Sequence, residues 1–220
     1  MNGTFPRFRD RTEAGRRLGE ILADRVHGDV IVYGIPRGGV PVALEVASAL
    51  EAPLDLALAR KIGAPGHPEV ALAAVIGGDH PMTVINEELV RTSQTSATWL
   101  ERERVAALAE IERRRRLYLQ GRTSLDPRGH VAVLVDDGLA TGATARAAIA
   151  GLRAQGVRLL VLAVPVAPKT LACALREEVD DFVCLSEPDS FRSVSDAYAD
   201  FRQVGDAEVI ACLDGSRPAT

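Results

Sequence analysis

A run of five apolar residues, Val131–Val135, is followed directly by two adjacent carboxylates, Asp136 and Asp137. A continuous apolar run of this length predicts a strand that is buried on both faces, as in parallel sheets. A loop of small residues comes next, and the alanine-rich segment 143–154 then predicts a helix. The chain is therefore expected to pass from a central strand through an acidic turn into the first turn of a helix.

This strand, loop and helix start predict an anion site. The first turn of a helix has free backbone N–H groups and the positive end of its dipole, and glycine lets that backbone approach a phosphate closely. Thr141 and Thr144 add hydroxyl donors. A carboxylate repels phosphate but accepts hydrogen bonds from vicinal hydroxyls, so the sequence predicts a sugar phosphate. The alternative is an ordinary helix cap, with Asp137 or Thr141 as the capping residue.

A second strand, loop and helix lie near the N-terminus. Residues 29–35 predict a strand that ends in Arg37, Gly38 and Gly39, and residues 40–50 resume helical periodicity. A turn of small residues with one cation suits an anion, although a simple turn with a solvated arginine gives the same pattern. The P-loop and the glycine triplet of dinucleotide-binding folds are poorer fits, because their spacings do not occur in the chain.

Strands and helices alternate along the rest of the chain. Residues 54–59, 157–166 and 181–185 predict further strands, and residues 168–179 predict a helix. This alternation of buried strands and helices implies an α/β fold, in which helices cover both faces of a parallel sheet. Ligands of such sheets bind at the carboxyl ends of the strands, where both anion loops are expected to meet.

Composition narrows the class of protein. The chain has 220 residues and a net charge of −4, which fits a single domain over residues 1–220 and makes a nucleic-acid partner unlikely. No apolar run approaches the roughly 18 residues that a membrane span needs, so no membrane partner is expected. Three cysteines without metal spacing, Cys173, Cys184 and Cys212, indicate reduced thiols in a cytoplasmic protein.

The order of apolar strand, two acids and Gly-x-x-Thr-Gly-x-Thr resembles the signature with which type I phosphoribosyltransferases bind 5-phosphoribosyl-1-diphosphate (PRPP). The segments GIPRGGV and RKIGAPGHPE are similar to those of an uncharacterised bacterial group of this family. The resemblance covers most of residues 12–210. It implies transfer of the 5-phosphoribosyl group from PRPP to a nitrogenous acceptor, such as a nucleobase, with release of pyrophosphate. It also implies Mg²⁺ as cofactor, a role in nucleotide salvage and a homodimer.

The resemblance implies a role for each motif. Asp136 and Asp137 are expected to be the catalytic pair, which holds the ribose hydroxyls and favours a cationic sugar. Mg²⁺ would be held by PRPP itself, with these two acids acting through water and no direct metal ligand. The 5-phosphate would be bound by Gly138, Leu139, Ala140, Thr141, Gly142, Ala143 and Thr144. The diphosphate would be bound by Arg37, Gly38, Gly39, Arg60 and Lys61. A non-proline cis peptide, common in the family's diphosphate loop, is expected at the Arg37–Gly38 bond.

The predicted core spans about residues 28–185. Within it, two segments are not part of the motifs described above. Residues 70–76 and 82–85 predict short strands, which in this family form a flap that closes over the site. Residues 86–120 predict a helical insertion of one helix or two, which covers the site or forms a dimer contact. Its arginine run, 113–116, is interleaved with acids and predicts a solvated helix face.

The terminal segments are expected to form a small hood that holds the acceptor. A helix over residues 12–26 is predicted with Thr12 as its N-cap, and a closing helix is predicted over residues 205–213 with Asp206 as its N-cap. In the tail, residues 186–220, Phe191 and Tyr198 would stack on the acceptor. The alternative is that the aromatic residues of the tail only pack and anchor it.

Two rival functions remain open from the sequence. One is a PRPP-binding regulatory protein without turnover, and the other is an enzyme that acts on a different sugar phosphate. A degraded diphosphate loop would favour the regulator, but this loop keeps Arg37. The sequence therefore favours a transferase.

Overall fold

Eight strands and seven helices make up the computed structural model, which describes residues 7–78 and 81–216. The strands are β1 (Val30–Gly34), β2 (Leu54–Leu56), β3 (Ala59–Ala64), β4 (His67–Ile76), β5 (Met82–Ile85), β6 (Val131–Val135), β7 (Leu159–Val166) and β8 (Asp181–Ser186). The helices are α1 (Arg11–Ala23), α2 (Gly39–Ala49), α3 (Glu87–Thr92), α4 (Ala97–Leu119), α5 (Ala143–Ala154), α6 (Lys169–Arg176) and α7 (Asp206–Gly215). A short 3-10 helix, Val194–Ala197, lies in the tail.

Five parallel strands form the central sheet in the order β2-β1-β6-β7-β8. All five residues of β6 are buried, and their side chains alternate between two apolar cores. Val133 lies in the core formed with α1, α2, α4 and α7. Leu134 lies in the core formed with α5 and α6. The predicted α/β fold, with helices on both faces of a parallel sheet, is therefore confirmed.

The strands β1 and β6 end level with each other. Gly34 pairs with Val135 in the parallel register, and the amide of Ile35 donates to the carbonyl of Val135 over 2.9 Å. The loops that follow the two strands therefore leave the sheet side by side. This register brings the predicted diphosphate loop next to Asp136 and Asp137.

A second sheet is antiparallel and contains β3, β4 and β5. The sequence predicted one strand over residues 54–59, followed by a loop that begins with Arg60 and Lys61, and this prediction is wrong. The chain leaves the parallel sheet after Leu56, and Ala59–Ala64 forms a new strand because its backbone pairs with β4. The strands predicted at 70–76 and 82–85 are present. Residues 79–80 of the turn that joins them lie outside the described part of the chain.

The terminal segments meet above the carboxyl ends of the strands, as the hood prediction required. The amide of Phe8 donates to the carbonyl of Ala197 over 2.8 Å, and the amide of Ala199 donates to the carbonyl of Phe8 over 2.7 Å. Phe8 and Tyr198 share a small apolar core with Val166, the last residue of β7. The helical insertion is built from two helices, α3 and α4. None of the described helices has the length and apolarity that a bilayer crossing requires.

Two glycines on α1 allow that helix to lie directly on α2. A Cβ atom at Gly15 would lie 2.6 Å from the carbonyl oxygen of Val42 and 2.8 Å from Cβ of Glu45. A Cβ atom at Gly19 would lie 2.6 Å from Cβ of Ala49. Both separations are shorter than ordinary van der Waals contact, so only glycine fits this helix crossing. The crossing holds α1, whose first residue is Arg11, directly against α2.

Replacing Gly15 by alanine should separate the two helices. Alanine is favoured over glycine in a helix by about 1 kcal/mol, but the close backbone contact is expected to outweigh this gain. We expect the free energy of unfolding to fall by about 1–3 kcal/mol, as for other overpacked sites. Urea unfolding of the variant measures the change.

Gly215→Ala in α7 is the matched control, because no atom lies within 4 Å of its added Cβ. The control should be as stable as the wild type or slightly more stable. Equal stability of Gly15→Ala and Gly215→Ala would show that the two helices do not lie this close.

Candidate active site

The loop that follows β1, residues 35–39, is called the β1 loop and includes the first residue of α2. Two of its glycines lie directly against the two acids that follow β6. A Cβ atom at Gly38 would lie 2.0 Å from Oδ2 of Asp137. A Cβ atom at Gly39 would lie 2.8 Å from Cα of Asp136 and 3.0 Å from its Oδ1. Any other residue type would separate the loop from the acids. The structure therefore brings the two loops that the sequence singled out to one edge of the sheet.

The loop from Gly138 to Thr144 wraps the start of α5. Gly142 is the N-cap residue with φ 71° and ψ 4°, a left-handed conformation that favours glycine. The first helical hydrogen bond runs from the amide of Arg146 to the carbonyl of Gly142 over 2.9 Å. The amides of the preceding turn lie before the helical ladder begins and are directed out of the helix end. Thr141 and Thr144 are both exposed beside them.

Other residues of this loop have structural roles. The side chain of Leu139 is buried, and its amide donates to the carbonyl of Val166 over 2.9 Å. Gly138 has φ 152°, and a Cβ atom there would lie 2.6 Å from Cγ1 of Val194. The loop is thus fixed to β7 and to the tail, while Ala140 and the two threonines face solvent. This arrangement is an open amide-lined turn on a rigid base.

Arg11, the first residue of α1, forms an ion pair with Asp137. Its Nε and Nη2 atoms lie 2.8 Å and 2.7 Å from Oδ2 of that residue. The two side chains are only 10% and 13% exposed. The Nη1 atom donates to the carbonyl of Arg202 over 2.8 Å, and the guanidinium lies 4.0 Å from the ring centroid of Phe201. The terminal segments therefore contact the acidic pair directly.

Tyr198 also connects the tail to the acidic pair. Its hydroxyl donates to the backbone carbonyl of Asp137 over 2.6 Å, and its ring packs between Phe8 and Phe201. The side chain is 3% exposed, so its ring face is covered by other side chains. The packing alternative accounts for these contacts of Tyr198 better than stacking on an acceptor. Phe191 is partly buried against the same small core, and its stacking role stays a prediction.

Burial shapes the electrostatics of the two acids. Burial, and then the charge of Asp137, raises the pKa of Asp136 well above its ordinary value. The amide of Asp137 donates to Oδ1 of Asp136 over 2.9 Å and opposes this rise. Burial also raises the pKa of Asp137, and the guanidinium of Arg11 opposes that rise. The charge of Arg11 favours the ionised form of Asp137, and the charge of Asp137 disfavours ionisation of Asp136.

Arg37 of the β1 loop reaches towards α7 and α4. Its Nη1 atom lies 3.6 Å from Oδ1 of Asp206, and the same oxygen accepts a hydrogen bond of 2.7 Å from the hydroxyl of Tyr118. Burial and this hydrogen bond raise the pKa of Tyr118 to about 12. Arg37 is 38% exposed, so it remains accessible to a ligand. Asp206 is therefore a partner of the β1 loop. The prediction that Asp206 is the N-cap of the closing helix is wrong, because Gly205 takes that position.

Arg60 and Lys61 were expected in a loop after a strand, but they lie inside a strand. Both lie within β3, where Arg60 pairs with Val75 and Lys61 pairs with Ala74. Lys61 lines a cavity of about 590 Å³ together with Thr141 of the phosphate loop. Arg60 lines a different cavity, of about 390 Å³, against Trp99 of α4. Their predicted diphosphate role stays a prediction.

The cis peptide bond of the β1 loop joins Pro36 to Arg37. The expected position, between Arg37 and Gly38, is wrong by one residue. Gly38 instead has φ −60° and ψ −35° and leads into α2. The glycine is required there for the close approach to Asp137.

Sequence reasoning missed Arg11 and the start of its helix. The N-cap of α1 is Asp10, not Thr12, because its side chain accepts a hydrogen bond of 2.8 Å from the amide of Glu13. Glu13 in turn accepts a hydrogen bond of 2.6 Å from the amide of Arg9. An acid followed three residues later by Glu is the sequence signal of such a start. That signal would have placed Arg11 in the first turn.

A cofactor of this site would meet two carboxylates from the protein. Among residues 7–78 and 81–216, no group of three or more His, Cys, Asp or Glu side chains is arranged to hold a metal ion. Carboxylate oxygens suit Mg²⁺, which keeps several waters and binds through one or two carboxylates plus phosphate oxygens. Asp136 and Asp137 fit that requirement when a diphosphate supplies the other ligands.

Comparison with known proteins gives one family. The sequence model of one protein family, the phosphoribosyl transferase domain, matches residues 10–202. A protein of Mycobacterium tuberculosis, provisionally named a phosphoribosyl transferase in each of two strains, is 42% identical over 207 residues. The match covers 94% of this chain and 46% of that protein. The chain thus spans about half the length of these curated relatives.

A solved structure from Thermus thermophilus has the same fold. It superposes with a TM-score of 0.87 at 41% sequence identity. The match covers 94% of this chain and 97% of the Thermus chain. The two chains therefore share one fold over nearly their whole lengths.

Proposed function

Because the chain belongs to the phosphoribosyl transferase domain family, we propose that it transfers the 5-phosphoribosyl group of PRPP to a nitrogenous acceptor. The observation that carries this proposal is the contact of Gly38 and Gly39 with Asp137 and Asp136. This contact supports the proposal because it joins the loop proposed to bind the diphosphate to the acids proposed to hold the diol. The loop proposed to bind the 5-phosphate follows those acids directly in the chain. One molecule of PRPP presents the three matching groups.

The acids hold the sugar in this mechanism. Asp136 and Asp137 accept hydrogen bonds from the 2- and 3-hydroxyls, and hydrogen bonds to a charged acceptor are the stronger ones. The amides at the start of α5 and the hydroxyls of Thr141 and Thr144 bind the 5-phosphate. The bond between C1 and the diphosphate oxygen breaks, and its electron pair leaves with pyrophosphate. The negative charge of the acidic pair stabilises the cationic sugar that forms.

The β1 loop holds the leaving group. Arg37 is accessible and can exchange Asp206 for a diphosphate oxygen, because its ion pair with Asp206 is long and exposed. Asp136 and Asp137 would hold Mg²⁺ through water, and the metal would supply further positive charge for the leaving diphosphate. The acceptor nitrogen forms the new bond to C1 and loses its proton to solvent. Closure of the second sheet over the cleft would exclude water from the cationic sugar.

The acceptor is proposed to lie under the hood. The contacts of Tyr198 with Asp137 and of Phe8 with the tail place the hood beside the acids. A nucleobase is the proposed class of acceptor, and nucleotide salvage is the proposed role.

Location and assembly are also part of the proposal. Cys173, Cys184 and Cys212 are free thiols, which supports the reducing cytoplasm. Val105 on α4 is 54% exposed, which supports the insertion as a dimer contact.

Pyrophosphate release tests the proposed function. The protein is mixed with PRPP, Mg²⁺ and each member of a panel of purine and pyrimidine bases, and pyrophosphate is measured by a coupled assay. We expect release that depends on one base or a few related bases. PRPP binding without release for any base would favour the regulatory alternative. Absence of PRPP binding by calorimetry would contradict the assignment.

A further inference from the structure

Arg11 is joined to the acidic pair more tightly than an exposed surface arginine. Both of its N–H donors to Asp137 go to the same oxygen, Oδ2, at 2.8 Å and 2.7 Å. Arginine does not use the second carboxylate oxygen, Oδ1. Because the pair is 10% and 13% exposed, solvent screens it weakly. The position of the Asp137 carboxylate is therefore set by a residue 126 positions away in the chain.

Two contacts from the tail hold Arg11 in place. The third donor, Nη1, is satisfied by the carbonyl of Arg202 at 2.8 Å, and the ring of Phe201 lies 4.0 Å from the guanidinium carbon. A planar guanidinium suits this geometry, because it donates in a fixed fork and stacks on aromatic rings. A lysine would keep the charge but would lose both the fork and the stacking.

The β1 loop also lies against the Asp137 carboxylate, nearest to the oxygen that Arg11 contacts. Gly38 lies so near that its added Cβ would be 2.0 Å from Oδ2. The carboxylate is thus held by both the loop that is proposed to bind diphosphate and the arginine of the hood. Without Arg11, Asp137 could turn about its side-chain bonds, and Oδ1 would lose its fixed direction.

We propose that Arg11 is a positioning residue of the PRPP site: it fixes the Asp137 carboxylate so that its other oxygen receives a ribose hydroxyl. This inference rests on the proposed function and deepens it, because it makes the start of α1 and residues 201–202 parts of the sugar site. Arg11 acts through Asp137 and has no role in bond making. The hood then has two tasks, which are to cover the acceptor and to orient the sugar.

Arg11→Met tests the inference, because methionine has similar length and no charge. We expect the dissociation constant for PRPP to rise on the order of 10²-fold, the effect of misplacing a binding group by about 1 Å. Arg11→Lys should give an intermediate rise. Calorimetry with PRPP and Mg²⁺ measures both, and thermal unfolding shows that the titrated protein is folded. If the methionine variant does not fold, the lysine variant gives the same comparison.

Arg16→Met on the same helix is the matched control. Arg16 forms an exposed ion pair with Glu45 at 2.9 Å, away from the acids. It should bind PRPP like the wild type. A purely structural role of Arg11 would lower the unfolding temperature without changing the PRPP affinity of the folded protein.

A double-mutant cycle with Asp137→Asn tests whether Arg11 affects PRPP binding through Asp137. If Arg11 acts through Asp137, Arg11→Met should weaken PRPP binding several-fold less in the Asp137→Asn background than in the wild type. Equal effects in both backgrounds would overturn the inference. So would PRPP binding by Arg11→Met that equals Arg16→Met, and the proposed function would survive that result. Failure of the wild type itself to bind PRPP would overturn the proposed function as well.

Discussion

The variant Asp136→Asn/Asp137→Asn is expected to bind PRPP about 10²- to 10⁴-fold more weakly than the wild type, which corresponds to the loss of two hydrogen bonds to charged acceptors at about 1.5–3 kcal/mol each. Asparagine keeps the size of each side chain but removes the charge that favours the cationic sugar. Calorimetry with PRPP and Mg²⁺ measures the affinity. Pyrophosphate release should fall below detection in the same variant.

The variant should remain folded. Burial raises the pKa of the Asp136 carboxyl group, because a buried charge is poorly solvated. Replacing this group by an amide therefore relieves a desolvation cost. Asp137 loses its ion pair with Arg11, and we expect this to cost about 1–3 kcal/mol of an unfolding free energy that is typically 5–15 kcal/mol. Circular dichroism and thermal unfolding show whether the fold survives.

A second pair of adjacent acids, Asp180 and Asp181, provides the control. They lie at the amino end of β8 and pair with Arg153 at 2.7 Å and Arg25 at 2.8 Å. Replacing both by asparagine also removes two adjacent carboxylates, together with their ion pairs, but at the opposite edge of the sheet. This variant should bind PRPP with wild-type affinity. Equal PRPP affinity in both double variants would contradict the assignment of the acidic pair.

Gly38→Ala is expected to lower activity strongly with a small loss of stability. The backbone of Gly38 has φ −60° and ψ −35°, which alanine adopts freely. Its new Cβ would lie 2.0 Å from Oδ2 of Asp137, so the carboxylate itself must turn away. We expect pyrophosphate release to fall on the order of 10²-fold, while the unfolding free energy falls by about 1 kcal/mol.

Gly39→Ala is the informative comparison. Its Cβ would lie 2.8 Å from Cα of Asp136 and 2.8 Å from the carbonyl oxygen of Val135. These are backbone atoms that cannot rotate away, so this variant should lose more stability than Gly38→Ala. The two variants are compared by urea unfolding and by pyrophosphate release. Full activity of Gly38→Ala would show that the loop does not set the position of Asp137.

The sequence predicted the elements whose signals are local. The strand Val131–Val135 and the helix Ala143–Ala154 have the predicted bounds, because an unbroken apolar run and an alanine-rich segment each specify their own structure. The sequence also singled out the glycines of the β1 loop, as diphosphate ligands. Their reason, the contact with the acids, became visible only when the register of β1 on β6 was known.

Some errors are local, and others depend on contacts with distant parts of the chain. Residues 59–64 form a strand because β4 follows directly after residues 65–66 and pairs with them as an antiparallel hairpin. Arg11 was missed because its role comes from Asp137, 126 residues away. The covered ring of Tyr198 likewise depends on Phe8 at the other end of the chain. Sequence patterns found the acids and the phosphate loop, while the contacts of the hood required the fold.

A crystal structure of the chain grown with PRPP and Mg²⁺ tests the central claim most directly. We predict the 5-phosphate at the amides and hydroxyls of residues 138–144, the ribose hydroxyls at Asp136 and Asp137, and the diphosphate at Arg37. PRPP bound elsewhere, with both acids still engaged only by protein groups such as Arg11, would contradict the account.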